Sequence, residues 1–160
     1  MKDPKYDKIM GKALKYLSFR DLSEKELKNK LRRNYGKSEL IEKVCEELKR
    51  IAYLDDRRYV HNYIVSKRSR LWWGKNLLFK KLVEKGVCSN IIHEVFDEYI
   101  KEEDEYQLAK KVFEKKINSL IGNKANETDQ KKKHKAARHL ENKGFPVALI
   151  IRLLEENKEK

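Results

Sequence analysis

The chain has 160 residues, of which 39 are Lys or Arg and 26 are Asp or Glu, giving a formal net charge of +13. So large an excess of cations indicates an anionic partner and favours nucleic acid over a membrane. No run approaches the roughly eighteen apolar residues of a membrane span, and the first residues lack the apolar core of a signal peptide. We therefore expect a cytoplasmic protein without membrane contact.

A helical unit recurs three times along the chain. Each copy has a Leu, a stop at a glycine (Gly36, Gly86 or Gly144) and an apolar residue five positions later. A repeat of about fifty residues is typical of stacked modules, each too small to bury its apolar face alone. Only two prolines interrupt the chain, which favours helix. We predict an all-α fold, an elongated, curved tandem array of three three-helix modules, in a monomeric protein.

The first module, residues 1–54, begins with a helix that ends near Ser18. Ser23 and Glu26 have the spacing of a capping box, in which each side chain accepts the other residue's backbone N–H. A second helix is therefore predicted from Ser23 to Gly36. Ser38 then caps a third helix.

The second module, residues 55–103, opens with Asp55 and Asp56, which we interpret as caps because carboxylates accept exposed N–H groups at a helix start. Its first helix is predicted to bury a stripe that includes Tyr63 and Leu71. The sequence Trp72-Trp73-Gly74 breaks this helix, and Gly74 would bring the turn close against the next helix.

The third module, residues 104–160, contains a polar connector, residues 122–129, between its first two helices. Gly144 ends the second of these helices. Pro146 fits the first turn of the last one.

Positive charge is concentrated in residues 57–85, where nine cations face one acid, Glu84. We predict that this segment contacts DNA phosphates, the alternative being an ordinary solvated surface. Trp72 and Trp73 could stack on bases, whereas packing in the core is the commoner role of a Trp in a connector. The nine cations are Arg57, Arg58, Lys67, Arg68, Arg70, Lys75, Lys80, Lys81 and Lys85.

Motifs of catalysis and metal binding do not emerge from the sequence. Asp55 and Asp56 have no third acid or His at ligand spacing, and no His or Cys pair has the spacing of a zinc site. Phosphate loops, dinucleotide fingerprints and nucleophile elbows are also missing from the sequence. We predict a protein that is not an enzyme and uses no cofactor or metal.

Four motifs, in this order, resemble the bacterial RecX family over roughly residues 13–154. The motifs are Arg20-Asp21-Leu22-Ser23-x-x-Glu26-Leu27-x-x-Lys30-Leu31, Leu54-Asp55-Asp56-x-Arg58-Tyr59-Val60, Gly74 followed by Leu82-x-x-Lys85-Gly86-Val87, and Lys135-Ala136-Ala137-x-x-Leu140-x-x-Lys143-Gly144-Phe145. The resemblance implies a curved tandem of three-helix units that binds the RecA recombinase filament on single-stranded DNA and restrains it.

On this reading the protein is a regulator of homologous recombination and DNA repair, with RecA, single-stranded DNA and, more weakly, double-stranded DNA as partners. The rival reading is a free-standing helical DNA-binding protein or transcription factor. Such proteins concentrate base-contacting side chains on one recognition helix. Here the cations are spread over several predicted helices.

Overall fold

The computed structural model describes residues 3–121 and 128–157, and all regular structure in these residues is α-helical. The predicted all-α fold is confirmed. Most of the predicted polar connector, residues 122–127, lies outside the described residues. None of the described helices is long and apolar enough to cross a membrane. The helices are α1 (Pro4–Phe19), α2 (Glu24–Tyr35), α3 (Glu39–Arg50), α4 (Asp56–Leu71), α5 (Lys75–Glu84), α6 (Ser89–Tyr99), α7 (Glu102–Ile121), α8 (Asp129–Asn142) and α9 (Val147–Glu156).

Local hydrogen bonds fix several of the helix ends. Ser23 and Glu26 form the capping box of α2: the Ser23 hydroxyl accepts the Glu26 N–H at 3.2 Å, and the Glu26 carboxylate accepts the Ser23 N–H at the same distance. The Asp55 carboxylate caps α4 by accepting the N–H groups of Arg57 at 2.9 Å and Arg58 at 3.1 Å. Asp56 does not cap its own helix, and its contact with α2 is described below.

The chain folds into two compact units. Unit 1 comprises the described residues up to Asn62 together with Leu82–His93, and unit 2 comprises Tyr63–Lys81 and the described residues from Glu94 onward. The predicted middle module, residues 55–103, therefore contributes residues to both units. The module boundaries themselves stay a prediction.

Each unit has its own apolar core, supplied by residues three or four positions apart on facing helices. In unit 1, Leu27 and Leu31 of α2 meet Ile41 and Leu48 of α3, and all four side chains are fully buried. The core of unit 2 is formed by α7, α8 and α9 and includes Tyr106, Ala109, Val112, Phe113, Ala136, Leu140, Phe145, Ile150 and Leu153.

The buried stripe that we predicted for α4 is wrong at its C-terminal end. Tyr59 and Val60 are buried, but Leu71 is 39% exposed and Tyr63 is only half-buried. Leu71 is the last residue of the helix, and the chain turns at Trp72, which adopts a positive φ of 54°. Because of this turn, Trp72 packs against the core of unit 2.

In unit 1, the turn at Lys85 and Gly86 docks on the N-terminus of α2. The Ser23 hydroxyl, which is fully buried, donates to the Lys85 carbonyl at 2.6 Å, and the Lys85 ammonium lies 3.0 Å from the Glu26 carboxylate. The Asp56 carboxylate accepts the Glu24 N–H at 2.9 Å. The exposed N–H groups at this helix start are therefore satisfied by Asp56, thirty-two positions after Glu24, as well as by the local Ser23.

Burial and hydrogen bonding shift the acids at this docking point in opposite directions. Burial by itself raises the pKa of the Glu26 carboxyl, but hydrogen bonds from the Lys85 ammonium and the Ser23 N–H outweigh it and hold the pKa below its ordinary value. Burial dominates at Asp56 and raises the pKa of that carboxyl, although the Glu24 N–H works against the shift.

In unit 2, the turn at Lys143 and Gly144 docks on the N-terminus of α5. The Gly74 N–H donates to the Lys143 carbonyl at 2.8 Å, and the Asn76 N–H donates to the Gly144 carbonyl at 2.9 Å. A Cβ atom at Gly74 would lie 2.5 Å from the Gly144 carbonyl oxygen, so no other residue fits there without a backbone shift. The Glu105 carboxylate accepts the Lys75 N–H at 2.7 Å.

Candidate nucleic-acid interface

The C-terminal half of α4 places aromatic and cationic side chains together within unit 2. Tyr63, Lys67 and Arg70 are spaced i, i+4 and i+7, so they share one face of the helix. Trp73 follows the helix end, and its ring centroid lies 6.4 Å from that of Tyr63. The Lys67 ammonium is 5.3 Å from the Tyr63 ring centroid and 5.5 Å from that of Trp73. We call these four residues the aromatic–basic patch.

The patch has the composition of a surface for single-stranded nucleic acid. The two rings are half-buried, and Arg70 is exposed, with no hydrogen bond or ion pair to the described part of the chain. Aromatic rings offer a stacking face to any base, and neighbouring cations track the phosphates. Contacts to ring faces and to phosphates carry no sequence information directly.

Trp72 has a different environment from Trp73. Its ring packs against the core of unit 2, and the ammonium groups of Lys115 and Lys111 lie 4.3 Å and 5.2 Å from the ring centroid. Its left-handed backbone conformation is costly for a large side chain, by roughly 1–3 kcal/mol. We interpret Trp72 as a packing anchor and keep Trp73 as the candidate for base stacking.

Several of the predicted DNA-binding cations contact groups of the protein itself, among them Arg58, Lys85 and Arg68. The Arg58 guanidinium donates to the carbonyls of Ala52 at 2.9 Å and Tyr53 at 3.0 Å, closing the turn between α3 and α4. Lys85 is paired with Glu26 as described above. Arg68 forms an ion pair with Glu105, a carboxylate that is only 4% exposed and that also accepts the Lys75 N–H.

The remaining predicted cations are distributed over both units. Arg57 is exposed on the first turn of α4 in unit 1. In unit 2, Lys80 is exposed and Lys81 half-buried on α5, and the Lys75 ammonium lies 5.7 Å from the Phe96 ring centroid. Within the described residues of unit 2 the structure therefore brings together Lys67, Arg70 and Trp73, while DNA contact by these residues and by the other predicted cations stays a prediction.

The sequence analysis missed the cations that α7 and the turn after α8 contribute to unit 2. Lys111 and Lys115 flank Trp72, and the Lys143 ammonium donates to the Leu71 carbonyl at 2.9 Å. Burial, together with the charges of Lys116 and Lys143, lowers the pKa of His139. The i, i+4 spacing of Lys111 and Lys115 was visible in the sequence, but their contact with a residue some forty positions earlier was not.

The described part of the chain contains no cluster of side chains that could bind a metal ion. Three or more His, Cys, Asp or Glu side chains do not come together there as a metal site.

Comparison with known proteins gives a consistent set of relatives. Models of the first and the third three-helix domains of RecX match residues 10–48 and 102–154. The chain is 34% identical over 156 residues to regulatory protein RecX of Prosthecochloris aestuarii, covering 98% of this chain and 97% of that protein. It is 32% identical to regulatory protein RecX of Bacillus licheniformis over 91% of its own length, but it spans only 53% of that longer protein.

Solved structures show the same fold. The crystal structure of RecX from Lactobacillus salivarius superimposes with a TM-score of 0.85 over 97% of both chains at 22% identity. A second crystal structure, of a regulatory protein RecX, superimposes with a TM-score of 0.81 over 94% of this chain and 73% of the other at 21% identity. At these identities the likeness establishes the helical tandem fold. The domain matches, and the identity to the Prosthecochloris protein over nearly its whole length, show that the chain belongs to the RecX family.

Proposed function

We propose that this protein is a non-enzymatic cytoplasmic regulator that binds the RecA filament on single-stranded DNA and inhibits its extension, ATP hydrolysis and strand exchange. The observation that carries the proposal is membership of the RecX family, with two matched three-helix domains. Serial modules suit a polymeric partner, because weak contacts to successive subunits add through a high effective concentration once the first has formed.

The aromatic–basic patch supports a direct contact with the single strand. Tyr63 and Trp73 offer rings to unpaired bases, and Lys67 and Arg70 offer charges to phosphates. Duplex DNA hides the faces of its bases in the stack, so the aromatic part of the patch gains nothing from it. We expect weaker binding to duplex than to single strands of equal length.

The proposal is tested by removing the two charges of the patch. Lys67→Gln with Arg70→Gln should flatten the dependence of log affinity on log salt for a dT oligonucleotide by about 1.4, because each lost phosphate contact contributes about 0.7. Fluorescence anisotropy at several salt concentrations measures this slope. Inhibition of RecA's DNA-dependent ATP hydrolysis should weaken in parallel, since the same contact would hold the protein on the filament.

Lys5→Gln with Lys8→Gln is the matched control, because it removes the same net charge from exposed positions of α1 in unit 1. Equal losses in both variants would leave only overall charge as the explanation. A preferred duplex sequence, with no effect on RecA, would instead support the free-standing DNA-binding protein.

A further inference from the structure

A groove lies between α8 and α9 in unit 2. The residues that line it are not part of the aromatic–basic patch. Its main depression has a volume of about 500 Å³ and is lined by Lys131, His134 and Arg138 of α8 and by Val147 and Ile150 of α9. A second depression of about 470 Å³ shares His134 and adds Ile151. A groove of this size is large enough for side chains of a bound segment.

The α8 wall of the groove is strongly cationic. Three cations, Lys131, Lys135 and Arg138, are spaced four and three residues apart, which puts them on one face of α8. Glu141 is the acid among the residues that line the main depression. This face therefore attracts a partner of negative charge.

The α9 wall is apolar and open to solvent. Val147 is 59% exposed and Ile151 is 50% exposed, whereas their neighbours Ile150 and Leu153 are buried in the core. The two exposed side chains are four positions apart and so lie on the same side of the helix. A phosphate backbone would be bound by the cations alone and would leave the exposed apolar side chains without a partner. A ligand with both acidic and apolar groups would use both walls of the groove.

We propose that this groove binds an acidic amphipathic helix of a protein partner, with its apolar side against Val147 and Ile151 and its carboxylates toward Lys131 and Arg138. Helix-in-groove recognition of this kind combines apolar anchors at i, i+3, i+4 and i+7 with flanking charges. Residues 130 to 141 of α8 span about 18 Å, which matches slightly more than three turns of a bound helix. The inference rests on the proposed function only in supposing a protein partner.

The probe is a fluorescein-labelled synthetic helix with Leu at i, i+3, i+4 and i+7 and Glu at the flanking positions, measured by anisotropy without RecA or DNA. A peptide of the same composition with its Leu residues distributed around the helix is the reference. The amphipathic peptide should bind at least about tenfold more tightly than the reference. The double substitution Val147→Ser with Ile151→Ser should lower the affinity for the amphipathic peptide by about tenfold or more.

Two further variants separate the groove from a general surface effect. Val65→Ser with Val83→Ser removes equally exposed apolar groups elsewhere and should leave peptide affinity unchanged. Lys131→Gln with Arg138→Gln should weaken peptide binding and reduce its salt dependence. Circular dichroism confirms that each variant is folded.

The affinity of the same variants for a dT oligonucleotide decides between a protein and a nucleic-acid ligand. The Val147 and Ile151 substitutions should not change DNA binding. The inference is overturned if the two peptides bind equally, or if the apolar variant keeps peptide affinity while the Lys131 and Arg138 variant loses peptide and DNA binding alike. Neither result depends on whether the protein inhibits RecA, so failure here and failure of the proposed function are distinguishable.

Discussion

The N-termini of α2 in unit 1 and α5 in unit 2 receive the same kinds of contact from different atoms. Each first N–H is accepted by a carboxylate from the first turn of a later helix, Asp56 for Glu24 and Glu105 for Lys75. Each N-cap residue also donates to the carbonyl of a Lys that precedes a glycine. At α2 the donor is the Ser23 hydroxyl, whereas at α5 it is the backbone N–H of Gly74.

This difference shows that one architectural contact can be made with or without a side chain. At α2 the Ser23 side chain lies between the docked Lys85–Gly86 turn and the backbone of Ser23, because its hydroxyl makes the hydrogen bond. The bare N–H of Gly74 brings the backbone of the 143–144 turn into direct contact. The close approach at Gly74 therefore makes unit 2 the less tolerant of added atoms at the N-cap.

Gly36 supplies a third case, in which the described residues place no helix start against the corresponding turn. Like Gly86 and Gly144, Gly36 has a positive φ, of 69°. Unlike at those two glycines, a Cβ added at Gly36 would meet no described atom within 4 Å. The glycine stop is thus a requirement of the turn itself, and close packing is added only where another helix start lies against it.

Gly74→Ala should have the largest effect on stability. The methyl group would collide with backbone atoms of Gly144 and Phe145 at 2.5–2.6 Å, and two backbone hydrogen bonds would be strained or broken. We expect a loss of about 3 kcal/mol or more in the free energy of unfolding, measured by urea denaturation. Hydrogen exchange should show the loss of protection at the Asn76 amide.

Gly11→Ala is the control, because Gly11 lies within α1 and an added Cβ there meets nothing within 4 Å. It should stabilise the protein by about 0.5–1 kcal/mol. Similar free energies of unfolding for the two variants would show that the backbone contact at Gly74 is not tight.

Ser23→Ala should have an intermediate effect. The fully buried hydroxyl both accepts the Glu26 N–H and donates to the Lys85 carbonyl, and alanine leaves both groups without this partner. The expected loss is about 1–3 kcal/mol in the same denaturation experiment. Ser38→Ala is the control: the Ser38 hydroxyl accepts the Leu40 N–H at 3.3 Å and, within the described residues, makes no hydrogen bond to a docked turn. A loss from Ser38→Ala as large as that from Ser23→Ala would mean that the docked turn contributes little.

The sequence predicts the local part of this architecture and misses the long-range part. The helical class follows from composition, and the spacing of Ser23 and Glu26 identifies a capping box, because both partners lie within one turn. Asp56 could be recognised as a cap but not as the cap of α2, thirty-two positions earlier. Periodicity also cannot foresee that the chain turns at Trp72 and leaves Leu71 exposed.

The candidate site shows the same limit. Local charge density identifies residues 57–85 as cationic, but it cannot separate Arg70, which is exposed, from Arg68, which is paired with the buried Glu105. Pairing partners of this kind come from distant helices. The cations beside Trp72 and along the α8–α9 groove were missed for the same reason, since their significance depends on which apolar residues lie next to them.

Lys85→Met should have the smallest effect, because it removes the ammonium but keeps the docked carbonyl. The Lys85–Glu26 pair is partly exposed, so its loss should cost about 1 kcal/mol or less at pH 7. The pKa of Glu26 is lowered in the folded protein, so the pair stabilises the fold above the unfolded pKa and ceases to do so as the pH falls through the folded pKa. The difference between variant and wild type should therefore shrink below about pH 5. Lys133→Met is the matched variant in unit 2, where the ammonium donates to the Asn157 carbonyl, a group that does not titrate. Its effect should stay constant between pH 7 and acid, and a parallel decline in both variants would show that Glu26 is not the group responsible.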